Sequence, residues 1–239
     1  MKNILIMSAV FVVGLSHPAF TAFTAFTAFT AFAANADDVN FDAKHKTCLE
    51  DIAKDAETAY ENAMIWQSEG GGRRARHCVA MALFALGHAG EAANRLEKIA
   101  KAPDGGSPNM RAGFYVEAAD LWLEAGEPRK AHDAATAGLK IARSDIDLRV
   151  VRARAYAALG HWDYAQTELT SGLAFHPGDA RALRYRAQAH FEQNNLDLAK
   201  ADIEQSLATD GSNIDALLLR GKIREALRLN LPQTIEIQK

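Results

Sequence analysis

The sequence lacks the short motifs that mark many catalytic sites. It contains no Gly-rich phosphate loop, no His-Glu-x-x-His segment and no Gly-x-Ser-x-Gly segment. Its carboxylates are scattered at helical spacing, which is typical of a solvated helix face rather than of a general acid–base pair. The histidines outside the cysteine region have no nucleophile nearby in the sequence: His88, His132, His161, His176 and His190. We therefore expect no enzymatic activity, no cofactor and no small-molecule substrate.

The chain also lacks a strong charge of either sign. Its 239 residues are 49% hydrophobic and 24% charged, with a formal net charge of −3. These values fit one soluble globular domain or a short repeat array, and they exclude a disordered chain or a protein with many membrane spans. Beyond residue 36, the 26 Lys and Arg and the 30 Asp and Glu give a net charge of −4. This mildly acidic balance argues against a nucleic-acid partner, which needs a basic surface.

Charge is almost absent from the first 36 residues, where Lys2 is the only charged side chain and 24 residues are hydrophobic. A basic start, an apolar run from Ile4 to Leu15 and the small residues Ala34-Asn35-Ala36 are typical of an export signal. We expect cleavage after Ala36, with Ala31-Phe32-Ala33 as a second site, and a periplasmic mature protein.

An Ala-Phe-Thr triplet, repeated four times from Ala19 to Thr30, lengthens this segment. A three-residue period carries the Phe side chains around every face of a helix, so the tract has no single apolar face to pack on a soluble core. The alternative to cleavage is an inner-membrane anchor, because Ile4 to Ala34 exceeds the ~20 residues that span a bilayer. A membrane contact is expected only in that case.

Self-similarity organises the rest of the chain. The glycines Gly87, Gly126 and Gly160 are each followed five residues later by Ala, and a fourth copy has Asn194 in place of Gly. The spacings are 39, 34 and 34 residues. Gly or Asn at a helix C-terminus adopts a left-handed cap. A small residue lies seven positions before each turn, where it lets two antiparallel helices approach closely: Ala80, Ala119, Ala153 and Ala187, with Gly221 one period later.

The motif from Ala155 to Ala165, which closes with Phe175-His176-Pro177, resembles the tetratricopeptide repeat (TPR) family, whose 34-residue unit is a helix–turn–helix. The resemblance covers about residues 73–229. It implies an all-α solenoid of antiparallel helix pairs wound into a right-handed superhelix, with a concave groove that binds peptides. Five extra residues near Pro103–Pro108 are expected to loosen the stacking there. The segment around Cys48, Trp66, Gly70-Gly71-Gly72 and His77-Cys78 is also similar to uncharacterised exported proteobacterial repeat proteins, which implies an extra N-terminal hairpin.

These patterns divide the chain into a signal segment, a degenerate hairpin, about four repeats, a capping helix and a tail. The boundaries are 1–36 for the signal, 37–72 for the hairpin, 73–102, 112–145, 146–179 and 180–213 for the repeats, 214–229 for the capping helix and 230–239 for the tail.

A column of arginines recurs with the same period. Sixteen residues after each arginine comes a carboxylate, which gives the pairs Arg152–Glu168, Arg186–Asp202 and Arg220–Glu236. A partly buried arginine needs such a partner, because an unpaired charge costs several kcal/mol. We interpret these pairs as structural links between the two helices of a repeat, and not as a ligand site.

Cys48 and Cys78 are the only cysteines. In an exported chain such a pair favours a disulfide. A straight helix over 47–68 would hold the two residues ~20 Å apart, so we expect a break with Asp55 as the N-cap of a second helix from Ala56 to Ser68. The alternative is a zinc site that adds His45 and His77, but adjacent residues 77 and 78 point about 100° apart on a helix and converge poorly on one ion.

The repeat phase also predicts which side chains face the concave groove. These are Arg74, His77, Met81 and Phe84, then Val116, Asp120 and Leu123, then Val150, Arg154 and Ala157, then Arg181, Arg184, Gln188 and Phe191, with Lys222 beyond. The basic cluster Arg154, Arg181 and Arg184, with Gln188 and the apolar Phe191, is the candidate site. Arginines would bind carboxylates of an envelope protein segment, and Phe191 would be the apolar anchor.

We therefore expect a non-catalytic scaffold that binds a protein or peptide in the bacterial cell envelope. One alternative is a structural factor that self-associates through the solenoid ends. Another is a regulatory subunit of an envelope enzyme, such as one that acts on peptidoglycan.

Overall fold

The computed structural model describes residues 41–230, which form eleven α-helices and no strand. The helices are α1 (Phe41–Ile52), α2 (Ala56–Ser68), α3 (Gly72–Ala85), α4 (Ala89–Lys101), α5 (Pro108–Glu124), α6 (Pro128–Ile141), α7 (Ile146–Ala158), α8 (Trp162–Leu173), α9 (Ala180–Glu192), α10 (Leu196–Thr209) and α11 (Ile214–Asn230). The signal segment and residues 231–239 of the predicted tail, with Glu236, lie outside the described residues, whereas Asn230 still belongs to α11. Within them, no helix combines the length and apolarity that a membrane crossing requires.

The helices stack as consecutive pairs, which confirms the predicted all-α TPR-like solenoid. The pairs are α1/α2, α3/α4, α5/α6, α7/α8 and α9/α10, and α11 follows as a single helix. Each second helix packs against its own first helix and against the first helix of the next pair. Successive first helices also lie beside one another along the stack, with α3 and α5 joined through the side chains of His77 and Glu117. The helices α1, α3, α5, α7, α9 and α11 therefore form one layer, here called the inner layer.

The turn between the two helices of each repeat is fixed by one residue in the left-handed region. Gly87, Gly126, Gly160 and Asn194 have φ of 86°, 71°, 77° and 58°. The amide of the residue after each turn then donates to a carbonyl near the end of the preceding helix, as in His161 N to Tyr156 O at 2.9 Å. This is the 6→1 bond of a Schellman cap, so the predicted caps are confirmed.

Alanine at the helix crossings allows the close approach that the repeat predicts. Buried alanines lie at the crossings on the first helices and in the first turns of the second helices: Ala80, Ala119, Ala153 and Ala187, and Ala92, Ala131, Ala165 and Ala199. Gly221 occupies the corresponding position on α11 but is exposed. The reason is that, within residues 41–230, no second helix follows α11 to pack on this position.

The insertion at Pro103–Pro108 loosens the stack only in the inner layer, where α3 and α5 approach each other less closely than α5 and α7 or α7 and α9 do, whereas α4 packs closely on α5. One apolar cluster runs across it from Ala63 on α2 to Ala155 on α7. The Arg111 guanidinium donates hydrogen bonds to the carbonyls of Gly106, Ala100 and Pro103, at 3.0–3.1 Å. These bonds fold the extra residues against the start of α5.

Candidate functional site

The inner layer contains a cavity of about 370 Å³ near the junction of α7, α8 and α9. Its floor is apolar, and it carries a few polar groups. The lining residues are Leu123, Glu124, Ala153, Arg154, Ala157, Ala158, Trp162, Ala165, Leu169, Tyr185 and Gln188. A concave apolar surface with few polar groups is typical of a recognition site.

A second hollow of about 260 Å³ lies next to the first and is more polar. The two hollows share Tyr185 and Gln188, and together they are called here the inner groove. The second hollow is lined by Arg184, Tyr185, Gln188, Asp215, Leu218, Leu219 and Lys222. We call the first hollow the pit, because its lining is mostly apolar, and the second the shelf, because it carries charged side chains.

Two arginines flank the ring of Tyr185. The guanidinium carbon of Arg184 lies 4.1 Å from the ring centroid, and that of Arg154 lies 5.7 Å from it. A guanidinium within about 6 Å of an aromatic centroid is attracted to the ring. Tyr185 therefore positions both cations at the boundary between the pit and the shelf.

The arginines of the predicted basic cluster are each paired with a carboxylate, so the cluster is not the free positive patch that the sequence suggested. Arg154 pairs with Asp120, Arg184 with Asp215 at 3.4 Å, and Arg181 with Asp147 at 2.5 Å. All three pairs join successive helices of the inner layer. Asp120–Arg154 and Asp147–Arg181 each join residues one 34-residue period apart, so the repeat phase that placed the arginines could also have indicated these two partners.

The carboxylates of two of these pairs lie in different surroundings. Burial raises the pKa of Asp120, although Arg154 acts in the opposite direction. The Asp215 side chain is 71% exposed, whereas that of Arg184 is only 17% exposed. An exposed ion pair is worth ~0–1 kcal/mol. A carboxylate from outside can therefore compete with Asp215 for Arg184.

Phe191 does not line the inner groove, and its predicted role as the apolar anchor is wrong. It is half-buried and packs on the last core cluster, beside residues such as Ile203 and Ile223. The apolar surface comes instead from Trp162 and Tyr185. Tyr185 lies one helical turn after Arg181 and one before Gln188, so its helical spacing could have indicated it.

Gln188 lies where the repeat phase put it, in the wall of both hollows. Its side-chain amide donates to Glu192 Oε1 at 2.5 Å. Leu123 and Ala157 also line the pit, whereas Val150 is buried.

The first repeat contributes less to the groove than its phase predicts. Arg74 pairs with Asp42 at 2.5 Å and His77 hydrogen-bonds to His45, so α1 covers both side chains. Phe84, further along α3, remains exposed.

The structural arginine pairs form as charged links between the helices of a repeat. Asp202 accepts two hydrogen bonds from Arg186, both at 2.7 Å. Glu168 pairs with Arg152 and also with Arg149, a partner that the 34-residue period does not reveal. Both carboxylates are buried, which fits a structural role and not a ligand site.

Cys48 and Cys78 are joined in a disulfide, with their Cα atoms 6.3 Å apart. The break that brings them together lies between α1 and α2, where Asp55 caps the amides of Glu57 and Thr58. The zinc alternative fails in this oxidised chain, because the disulfide leaves neither sulfur as a thiolate. Across residues 41–230, no group of three or more His, Cys, Asp and Glu side chains could hold a metal ion.

Comparison with known proteins supports the fold. A thermophilic TPR protein from Thermus thermophilus is 16% identical, with a TM-score of 0.56, over 77% of this chain and 99% of that one. YrrB, described as a TPR protein with an unusual peptide-binding site, is 14% identical, with a TM-score of 0.54, over 71% of this chain and 85% of that one. No protein-family profile matches the sequence, and neither does any curated protein.

Proposed function

We propose that the chain is a non-catalytic interaction scaffold of the bacterial cell envelope, which binds a segment of another envelope protein in the inner groove. The observation that carries the proposal is the apolar pit beside Tyr185, with Arg154 and Arg184 on either side of that ring. YrrB, which has the same fold, is described as having a peptide-binding site.

The groove suits a segment with an apolar side chain next to a carboxylate. The apolar side chain would enter the pit between Ala157 and Trp162. The carboxylate would replace Asp215 on Arg184, whose guanidinium is already positioned by Tyr185. A charge-assisted hydrogen bond to a guanidinium fixes orientation as well as adding affinity.

The envelope is proposed as the compartment on two grounds. The N-terminal 36 residues have the pattern of an export signal, and the chain carries a disulfide between Cys48 and Cys78. Disulfides persist in oxidising compartments such as the periplasm.

A crosslinking pull-down from the source envelope, read by mass spectrometry, tests the proposal. The native chain is compared with Ala158→Tyr, which fills the pit from an exposed position, and with Arg184→Glu, which repels a carboxylate. Both variants should lose the same partner by at least about tenfold, the effect of 1.4 kcal/mol.

The matched control is Ala174→Tyr, an exposed alanine at the end of α8 that does not line the groove. It should retain the partner. A partner that binds all four chains equally well would contradict the proposed site. Circular dichroism of each variant establishes that the helices are intact.

Self-association is a second candidate, because α11 leaves large apolar side chains in solvent. Ile214, Leu218 and Leu229 are 72%, 62% and 64% exposed. Light scattering on the mature chain distinguishes the two candidates: an oligomer that Leu218→Glu dissociates would favour self-association.

A further inference from the structure

We propose that the first turns of α1, residues 41–47, form a proton-controlled latch on the end of the solenoid, with the His45–His77–Glu117 hydrogen-bond chain as its lock. This inference does not depend on the function of the inner groove. It rests on how α1 is attached to its neighbours and on how many protons the three side chains can share.

Helix α1 is attached mainly through side-chain contacts at its surface. None of its residues is fully buried. Phe41 stacks on Trp66 with ring centroids 6.4 Å apart, and Lys44 lies 5.1 Å from the same ring. Asp42 pairs with Arg74 on α3. These contacts hold the first turns of α1 with little buried apolar surface, so the loss of one polar contact has a large relative effect.

The lock spans three helices of the inner layer. His45 Nε2 on α1 lies 2.9 Å from His77 Nδ1 on α3, and His77 Nε2 lies 2.8 Å from Glu117 Oε2 on α5. The carboxylate can only accept, so His77 donates its Nε2–H to Glu117. The His77 Nδ1 of a neutral ring is then an acceptor, and His45 Nε2–H donates to it.

This arrangement accommodates at most one additional proton. If one imidazole is protonated, the nitrogen–nitrogen hydrogen bond survives, because the other ring still offers a lone pair. If both are protonated, two N–H groups face each other at 2.9 Å and neither can accept. The second proton therefore breaks the bond that joins α1 to α3.

The surrounding charges set the direction of the pH effect. Burial lowers the pKa of His45 below its ordinary value of 6.5, and His77 and Arg74 lower it further, while Asp42 and Glu117 oppose them. Two further ion pairs involve these turns: Lys44 with Glu69 at the end of α2, and Lys46 with Glu50 within α1.

A released His45 with its ordinary pKa therefore binds a proton more readily than a docked one. The pKa difference of His45 therefore stabilises the docked position of the first turns of α1 fully above about pH 6.5. This stabilisation is lost as the pH falls towards the lowered pKa of the docked ring.

Opening would be local because Cys48, near the end of α1, remains bound to Cys78. The turn that carries Phe41 and Asp42 lifts, while the part of α1 next to the disulfide stays in place. Trp66, which is 3% exposed in the docked state, and Arg74 then become accessible.

Hydrogen–deuterium exchange of the disulfide-bonded protein tests the latch by comparing the native chain with His45→Gln at the same pH. Glutamine can donate to His77 but does not titrate. At pH 7.5 the two chains should exchange residues 41–47 at equal rates. At pH 5.0 the native chain should exchange this segment faster than His45→Gln does. The ratio of the two rates can reach about 30-fold, which is the largest effect that protonation of a released histidine with a pKa of 6.5 can have at this pH.

His88→Gln is the matched control, because His88 is exposed and its side chain makes no capping bond. This variant should behave as the native chain does at both pH values. Equal exchange of native and His45→Gln at pH 5.0 would overturn the proposal. If His45→Gln is already open at pH 7.5, imidazole NMR titration of the native chain decides: a His45 pKa below that of His88 supports the latch, and one equal or higher overturns it.

Discussion

At the scale of single residues, the buried carboxylates Glu168 and Asp202 connect the two helices of a repeat. Each lies on a second helix and accepts from an arginine on the first helix sixteen residues earlier. The spacing follows from the geometry of the hairpin, in which an arginine near the middle of the first helix faces the middle of the second. The arginines are about one-fifth exposed, so their alkyl stems pack while the guanidinium reaches the carboxylate.

Removal of the Asp202 carboxylate should destabilise the last repeats. Asp202→Ala removes the two hydrogen bonds that the Arg186 guanidinium donates to this carboxylate and leaves it only a long bond to Thr170 Oγ1. Breaking a buried pair by deleting one partner costs about 3 kcal/mol. Urea unfolding of Asp202→Ala should show this loss.

Asp197→Ala, an exposed residue on the same helix, is the control and should stay within about 0.5 kcal/mol of the native chain. The double variant Arg186→Met with Asp202→Leu should recover most of the loss, because neither charge is then left unpaired. A single-variant loss no greater than that of the control would contradict a buried structural pair.

At the scale of elements, the disulfide compensates for the poor packing of α1. The helix buries no side chain fully, although Cys48 and Ile52 pack against the first core cluster. A helix of only 12 residues is marginal in water on its own. The covalent link closes a loop with a sequence separation of 30 residues. It therefore holds α1 beside α3 where apolar contact alone would not.

Reduction of the disulfide should release α1 and lower the free energy of unfolding by about 3–4 kcal/mol, the chain-entropy value for such a loop. Exchange in residues 41–52 should rise at every pH after treatment with dithiothreitol, whereas α5 to α10 should remain protected. The double variant Cys48→Ser with Cys78→Ser should reproduce the effect without a reductant. Unchanged protection of α1 in that variant would show that side-chain contacts alone hold α1 beside α3, and it would contradict the prediction.

The sequence predicted best those turns and helix ends whose conformation depends on a few residues close together in the chain. Gly87, Gly126 and Gly160 fix the turns by their own backbone freedom, and the break at Asp55 follows from the reach of a disulfide. The inner groove was only partly predictable, since its apolar pit combines Trp162 with alanines of another helix. Phe191 was placed wrongly because repeat phase alone does not show that the last core cluster covers it.

At the scale of the whole molecule, ion pairs between successive first helices run along the inner layer. They are Asp42–Arg74, Asp120–Arg154, Asp147–Arg181 and Arg184–Asp215. Each is partly exposed, so each contributes ~0–1 kcal/mol and sets the alignment of neighbouring helices more than their stability. The apolar core beneath them is divided: one cluster spans α2 to α7, and two smaller ones follow, the last between α9, α10 and α11.

This division predicts that the C-terminal end of the solenoid unfolds independently of the N-terminal part, because each repeat is stabilised only by its neighbours. Ile223 on α11 is fully buried in the last cluster, and Ile223→Ala should cost about 2–5 kcal/mol there. Hydrogen exchange should rise in α9, α10 and α11 while α3 to α5 keep their native protection. The matched variant Ile99→Ala, equally buried in the first cluster, should show the reverse distribution. A uniform rise over all helices in both variants would mean that the solenoid unfolds as one cooperative unit, and the divided core would then have no energetic consequence.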